Sequence, residues 1–344
     1  MKFTLNLLIA CLSVNFFCSS LMSKSLTYEG SSGAGKGKHI VFIASDHEYR
    51  GEETCPAIAR ILAKRYGFKC TVLFGLDDNG HIKPGSSKIP GMEVLKEADM
   101  MFLFLRFLAP DDATMKHFTD YLDRGGPVLG LRTTTHGFNK LKGKYAYYNF
   151  NSRNKDYDYG FGRQVLGETW RPREGAGHYG SNHKFSTRMF VVPDQKDHPV
   201  MRGVKDMHAM AGAYSAVPIE GSVILGKNQV LDSMKPDGKP LENKPPSPSI
   251  WVRTYKSASG KGGRVFTSTQ GASEDIISEG VRRCIINGVF WCMGLEKNIK
   301  PDMNVAFVGP YQPTTFKFGG GAKQVKPADL AGWDRPIMPR GVKK

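Results

Sequence analysis

The chain has 344 residues, of which 40% are apolar and 23% charged, an ordinary globular composition that excludes wholesale disorder. Gly at 39 and Pro at 20 predict many loops, and Lys+Arg 48 against Asp+Glu 32 leaves a net charge of +16. No long Lys/Arg run and no nucleic-acid motif accompanies that excess, so it reads as a diffuse solvated surface and not as a nucleic-acid interface.

The first residues have the layout of a secretion signal. Met1-Lys2 is positive, Leu5 to Leu12 is apolar, and small residues follow at Cys18, Ser19 and Ser20. Residues 1–22 are assigned to this leader, which predicts export to the periplasm or the extracellular space. Asn6, Ser13 and Asn15 interrupt the apolar run, which argues against a membrane span. Leu8-Ile9-Ala10-Cys11 weakly resembles a lipoprotein box, so a lipid on Cys11 is the minor alternative. Residues 23–37 read as a flexible linker. Gly30 to Lys36 begins like a phosphate loop, but Gly37 stands where Ser or Thr is required, and the run precedes the first strand.

From residue 38 the pattern alternates between strands and helices. His39–Ala44 is a short β-branched strand. Ile58, Ile61, Leu62 and Tyr66 recur at helical spacing until Gly67. Lys69–Phe74 is a second strand, and Met92–Glu97 a short helix. Met100–Leu105 is apolar on both faces, as a central parallel strand requires. Asp111 caps a helix with Met115, Phe118 and Leu122 on one side, and Val128–Leu131 is a fourth strand. Residues 137–182 form a long loop excursion rich in Tyr, Gly, Arg and Asn. Thr187–Val192 and Ser222–Leu225 are short strands. Lys235–Ser249 is a proline-rich surface loop. Ile250–Tyr255 and Arg264–Ser268 form a strand pair, and Ser273 is expected to cap a last helix that runs to Cys292. Residues 38–296 thus make one α/β domain with a mostly parallel central sheet, and 297–344 an extended C-terminal tail.

Ligands of open parallel sheets sit beyond the C-terminal strand ends. That rule selects Asp46, His47, Glu48, Tyr49 and Arg50 after the first strand, Arg106 after the third, Arg132, Thr133 and His136 after the fourth, and Gln270 near the end of the chain's last strand. His47 and His136 suit general-base work, with the arginines as anion or oxyanion holders. Such a polar set fits a small polyhydroxylated or anionic ligand. His178, His183, His198 and His208 fall close together in sequence but lack helical metal-pair spacing, and no HExxH occurs, so no metal or other cofactor is expected beyond the bare possibility of a loop-assembled site. Cys55, Cys70, Cys284 and Cys292 remain after the leader, either as buried thiols or as up to two disulfides. The oligomeric state is not readable from the sequence.

Lys38–Leu62, the block from Asp99 to Gly137 with its Asp-Arg-Gly-Gly-Pro-Val-Leu-Gly-Leu stretch, Asp197-His198-Pro199-Val200, Met207-His208 and Trp251 to Gly294 resemble the ThuA-like (trehalose-utilisation) domain family. The resemblance implies the class I glutamine amidotransferase-like fold, a flavodoxin-like three-layer sandwich, and a role in carbohydrate metabolism. It adds His208 as a catalytic candidate. Amidotransferases carry a nucleophilic Cys at the turn after the fourth strand, where this chain has Arg132. Family members often have His at that turn and in a later Gly-His pair, where this chain has Gly271-Ala272. Two readings follow. One is an exported protein that acts on a sugar or oxidised sugar derivative by acid/base chemistry. The other is a non-catalytic carbohydrate-binding or structural protein on the same scaffold.

Overall fold

The computed structural model describes residues 25–179, 183–257, 259–321 and 323–338. The expected leader lies outside these residues. Twelve strands are assigned among them: β1 (Ser25–Glu29), β2 (His39–Ser45), β3 (Lys69–Phe74), β4 (Met100–Leu105), β5 (Val128–Leu131), β6 (His178–Tyr179), β7 (Thr187–Val191), β8 (Met207–Ala209), β9 (Ala213–Tyr214), β10 (Val223–Val230), β11 (Ser247–Lys256) and β12 (Gly262–Ser268). The α-helices are α1 (Gly51–Tyr66), α2 (Asp112–Asp123) and α3 (Glu279–Cys292).

Ten strands form one sheet in the order β1-β3-β2-β4-β5-β12-β11-β10-β7-β8, and β6 pairs with β9 separately. The centre, β3-β2-β4-β5-β12, is parallel. Antiparallel strands extend it on both sides. Because β2 to β5 are apolar on both faces, helices cover both. Phe42, Phe102, Leu129 and Phe266 pack with Ile58, Ile61 and Leu62 of α1 and Ile285 and Val289 of α3. The residues between them, Val41, Ile43, Met101, Leu103 and Val265, pack with Met115, Phe118 and Leu122 of α2 and with Phe138, Tyr148 and Phe161 of the loop excursion. This is the expected three-layer α/β sandwich.

Local chemistry sets the helix ends. Gly67 adopts φ 79 and its N–H reaches Ala63 O, closing α1. Asp111 Oδ1 accepts from the Thr114 amide at 2.8 Å and starts α2. The last helix differs from the sequence reading. It begins at Glu279 after Ser278, while Ile276 and Ile277 belong to a separate 3-10 turn. The Asp275 carboxylate holds that turn by accepting from the amides of Ala211, Gly271 and Ala272 at 2.9, 3.0 and 3.0 Å. Ser273 instead donates to Thr314 O at 2.8 Å.

Three other segments depart from expectation. The proposed linker contains β1, an edge strand that buries Leu26 and Tyr28 on alternate positions, and Gly30 and Gly35 donate to Phe68 O and Tyr66 O at 3.0 and 2.8 Å. The proline-rich loop ends early, because Ser247 to Ser249 already pair in β11. The Ser222–Leu225 strand continues to Val230 as β10. Cys55, Cys70, Cys284 and Cys292 are buried free thiols. Beyond α3 the described chain has no α-helix or strand and docks on the domain. Arg60 donates to Leu330 O at 2.9 Å and Arg335 O at 2.7 Å, and Tyr311 Oη donates to Ser273 O at 2.6 Å.

Candidate functional site

The parallel register aligns the C-terminal ends of β2, β4, β5 and β12, so the residues that follow them share one edge. Asp46 organises the first loop. Its Oδ1 accepts from the amides of Glu48 (2.9 Å) and Tyr49, and its Oδ2 from Thr133 Oγ1 at 2.8 Å. The Asp46 carboxylate thus ties the β2 loop to the β5 loop and is buried.

Arg132, directly after β5, takes a left-handed backbone (φ 49) at the sharp strand-to-helix turn. Its side chain is fully buried and turns inward. Nη1 donates to Thr269 O at 3.0 Å and Nη2 to Gly212 O at 2.7 Å. The guanidinium lies 3.8 Å from the Tyr49 ring centroid and 5.1 Å from that of Tyr214. Burial would favour its neutral form, but Tyr49, Tyr214 and Asp275 outweigh this and raise its pKa. Arg132 therefore braces the site from beneath.

Arg106 is the cation nearer the surface. It pairs with Glu48 and lies over the rings of Phe318 and Phe107 at 4.9 and 5.4 Å. His136 is buried against Phe107, Trp170 and Tyr214, with ring centroids 4.8, 5.7 and 5.9 Å away. Its Nδ1 lies 3.1 Å from Thr135 Oγ1. His178, from β6, joins the same rings at 6.1 Å from Trp170 and 5.4 Å from Tyr214. The His47 ring lies tilted against Phe318, with centroids 5.3 Å apart. Burial, then the nearby arginines, lowers the pKa of all three histidines, most for His136, although Asp46 partly opposes this at His47. The edge thus gathers three imidazoles held neutral near pH 7, one arginine paired with Glu48 and a set of aromatic faces.

The other candidates separate. Gln270 is buried in the sheet, where Oε1 accepts from Thr269 Oγ1 at 2.7 Å and Nε2 donates to Thr187 Oγ1 at 3.4 Å. Arg50 is buried under the tail, donating to Lys317 O at 2.7 Å, with Glu52 at 3.8 Å. His208 lies on β8 in the wall of a different cavity. Of the remaining histidines, His183 stacks on Phe316 at 4.1 Å and His198 lies 5.8 Å from Trp291. Among the described residues no group of three His, Cys, Asp or Glu side chains is placed to hold a metal.

The sequence reading missed two contributors. His178 reaches the site from the loop excursion. The tail covers the first loop, where Phe316 stacks on Tyr49 at 5.3 Å, Lys317 N donates to Glu48 O at 2.9 Å, and Phe318 lies over His47 and Arg106. Neither had a local signal, because both arrive through long-range packing.

No thiol stands at the turn after β5, and every described cysteine is buried in α1, β3 or α3. The chain is therefore expected to release no ammonia from glutamine in a coupled dehydrogenase assay. Release that persisted in Arg132→Ala would reveal a nucleophile elsewhere.

No family model matches the chain, and no curated protein matches it. Among solved structures it is similar to a ThuA-like protein from Bacteroides uniformis, at 18% identity over 80% of this chain and 98% of that one, with a TM-score of 0.45. A ThuA-like protein from Parabacteroides merdae shows 15% identity over 82% and 98%, with a TM-score of 0.47. A cytoplasmic protein from Salmonella typhimurium shows 13% identity over 76% and 100%, with a TM-score of 0.36. The resemblance to ThuA-like proteins is thus one of distant structural likeness over about 80% of the chain.

Proposed function

We propose that this chain is an exported ThuA-like domain protein that acts on a sugar or oxidised sugar derivative by acid/base chemistry at the sheet edge. The observation that carries this reading is the meeting of His47, His136 and His178 with Arg106 and the rings of Phe107, Trp170 and Tyr214. A neutral imidazole accepts a proton, as removal of a proton beside a carbonyl requires. In this reading Arg106 holds the carbonyl or carboxylate oxygen on which charge develops. The flat aromatic faces suit the C–H face of a sugar ring. His136 is assigned as the base and Arg106 as the oxyanion holder. Asp46, Thr133 and Arg132 position the two loops.

The test is deuterium uptake from D₂O into a panel of keto-sugars and sugar acids, followed by NMR. His136→Gln is expected to slow exchange by about 10²- to 10⁴-fold while leaving ligand-induced stabilisation in place. Because burial and the arginines lower the imidazole pKa values, the rate should stay flat from pH 8 down through the ordinary histidine range and fall only below it. A rate that fell at the ordinary histidine pKa would remove His136 as the base. The second reading, a carbohydrate-binding protein without turnover, draws on Arg132 filling the nucleophile turn with both ends of its guanidinium bonded to carbonyls. Stabilisation by a sugar with no exchange at any pH would select it.

A further inference from the structure

A cavity of about 610 Å³ opens at the N-terminal end of α3, and no residue of the edge cluster lines it. Its volume is within the range of small-molecule sites. Met210, Pro236, Ile277 and Pro301 form its apolar side, and His208 and Arg283 belong to its polar side. Both of these polar side chains are more than nine-tenths buried. Each has a nitrogen with no hydrogen-bond partner among the described residues, Nε2 of His208 and Nη1 of Arg283. Such groups are costly to bury unless something satisfies them.

The helix end beside them has no side-chain cap, and the Lys205 and Asp206 carbonyls pack against Gly280. Ser278 occupies the N-cap position but makes no cap, because its Oγ donates to Asp206 O at 2.8 Å. The first-turn amides of α3 therefore present the positive end of the helix dipole without a side-chain acceptor. The carboxylates at the rim are already engaged. Glu279 pairs with Arg283 Nη2 at 2.7 Å, Asp206 with Arg188 at 3.4 Å, and Glu274 accepts from Thr315 Oγ1 at 3.2 Å. Lys205 adds an exposed cation at the mouth, and Ile277 remains 54% exposed beside it. Uncommitted donors thus stand against an apolar wall.

We propose that this cavity is a second binding site, for a small molecule that carries a carboxylate or phosphate head on an apolar body. The head takes the Arg283 guanidinium and the α3 amides, with His208 at its side. The body lies on Met210 and Ile277. This site stands independently of the acid/base reading of the sheet edge.

Isothermal titration of the whole chain with inorganic phosphate, acetate and hexanoate tests it. Hexanoate is expected to bind more tightly than acetate, because its additional methylenes are buried against the apolar wall. Phosphate binding tighter than either carboxylate identifies a phosphate head, and the reverse identifies a carboxylate. Arg283→Met is expected to weaken the preferred probe about ten-fold or more. Glu279→Gln, which releases the guanidinium, should tighten binding, an outcome that a purely structural Arg283 would not give. Ile277→Ser should weaken hexanoate selectively. Should Arg283→Met fail to fold, His208→Leu carries the same expectation of loss. The absence of saturable binding by any of the three probes overturns the site, as does unchanged affinity in a folded Arg283→Met.

Discussion

Arg132→Ala is expected to lower the stability of the chain by ~3–5 kcal/mol, read as a large drop in the urea midpoint, because it removes a buried hydrogen-bonded cation. The loss has identifiable parts. Thr269 O and Gly212 O each lose a donor at 3.0 and 2.7 Å, and both lie where water does not replace it. The Tyr49 and Tyr214 rings lose the guanidinium packed between them. Arg132→Lys should recover little, since an ammonium does not offer a planar fork to two separated carbonyls. Arg106→Met should also lower the midpoint, because Arg106 and Glu48 are both about nine-tenths buried and the substitution leaves the Glu48 carboxylate unpaired. Equal midpoints for Arg132→Ala and the parent chain would show that the inward geometry contributes nothing to the fold.

Glu52→Gln is expected to stabilise the chain at pH 8 by ~3–5 kcal/mol and to have almost no effect near pH 4.5. Burial, reinforced by neighbouring Glu53, pushes the Glu52 carboxyl up to about 8, against the opposing pull of Arg50. In the unfolded chain the group titrates near 4.5. Between those values the folded chain keeps a proton that the unfolded chain releases. Raising the pH across this window therefore favours unfolding, and the contribution is lost as pH passes the folded value. Glutamine has no proton to lose and flattens that slope. Burial acts in the other direction on His39, His136 and His178, whose lowered pKa values make stability rise with pH up to the ordinary histidine range. Those residues are common to both chains and cancel in the difference. Parallel stability curves for parent and variant between pH 5 and 8 would show that Glu52 is ionised in the folded state throughout.

The central strands were legible because burial on both faces leaves no choice of residue. His39–Ser45 and Met100–Leu105 read as unbroken apolar runs, and their positions alone placed the edge residues. The left-handed turn at Arg132 could be located but not its direction, since the sequence does not say whether an arginine after a strand turns outward or inward. Ser25–Glu29 was hidden because an edge strand needs only Leu26 and Tyr28, a pattern that five residues of loop also show. Ser273 looked like a cap because a serine stood at the right distance from an apolar stripe. The Asp275 carboxylate, by binding three amides, moved the helix start to Glu279. His208 was grouped with His47 and His136 by the family resemblance, whereas the β7–β8 pairing carries it to the sheet's far margin.

The docking of the tail gives the site a history as well as a shape. Tyr28 donates to Leu330 O at 2.8 Å across 302 positions, so one of the first described residues waits for one of the last. On a ribosome, β1 to β12 can assemble while the segment after α3 is still inside the exit tunnel. During that interval His47, Tyr49 and Arg106 lack Phe316 and Phe318, and Glu53 lacks the Thr314 amide that later reaches it at 2.8 Å. Closing so long a loop costs only slightly more entropy than closing a shorter one, but it puts the final contacts among the slowest to form. The candidate edge thus stays uncovered until the C-terminal segment docks, and the aromatic cover over His47 is among the late contacts of the molecule.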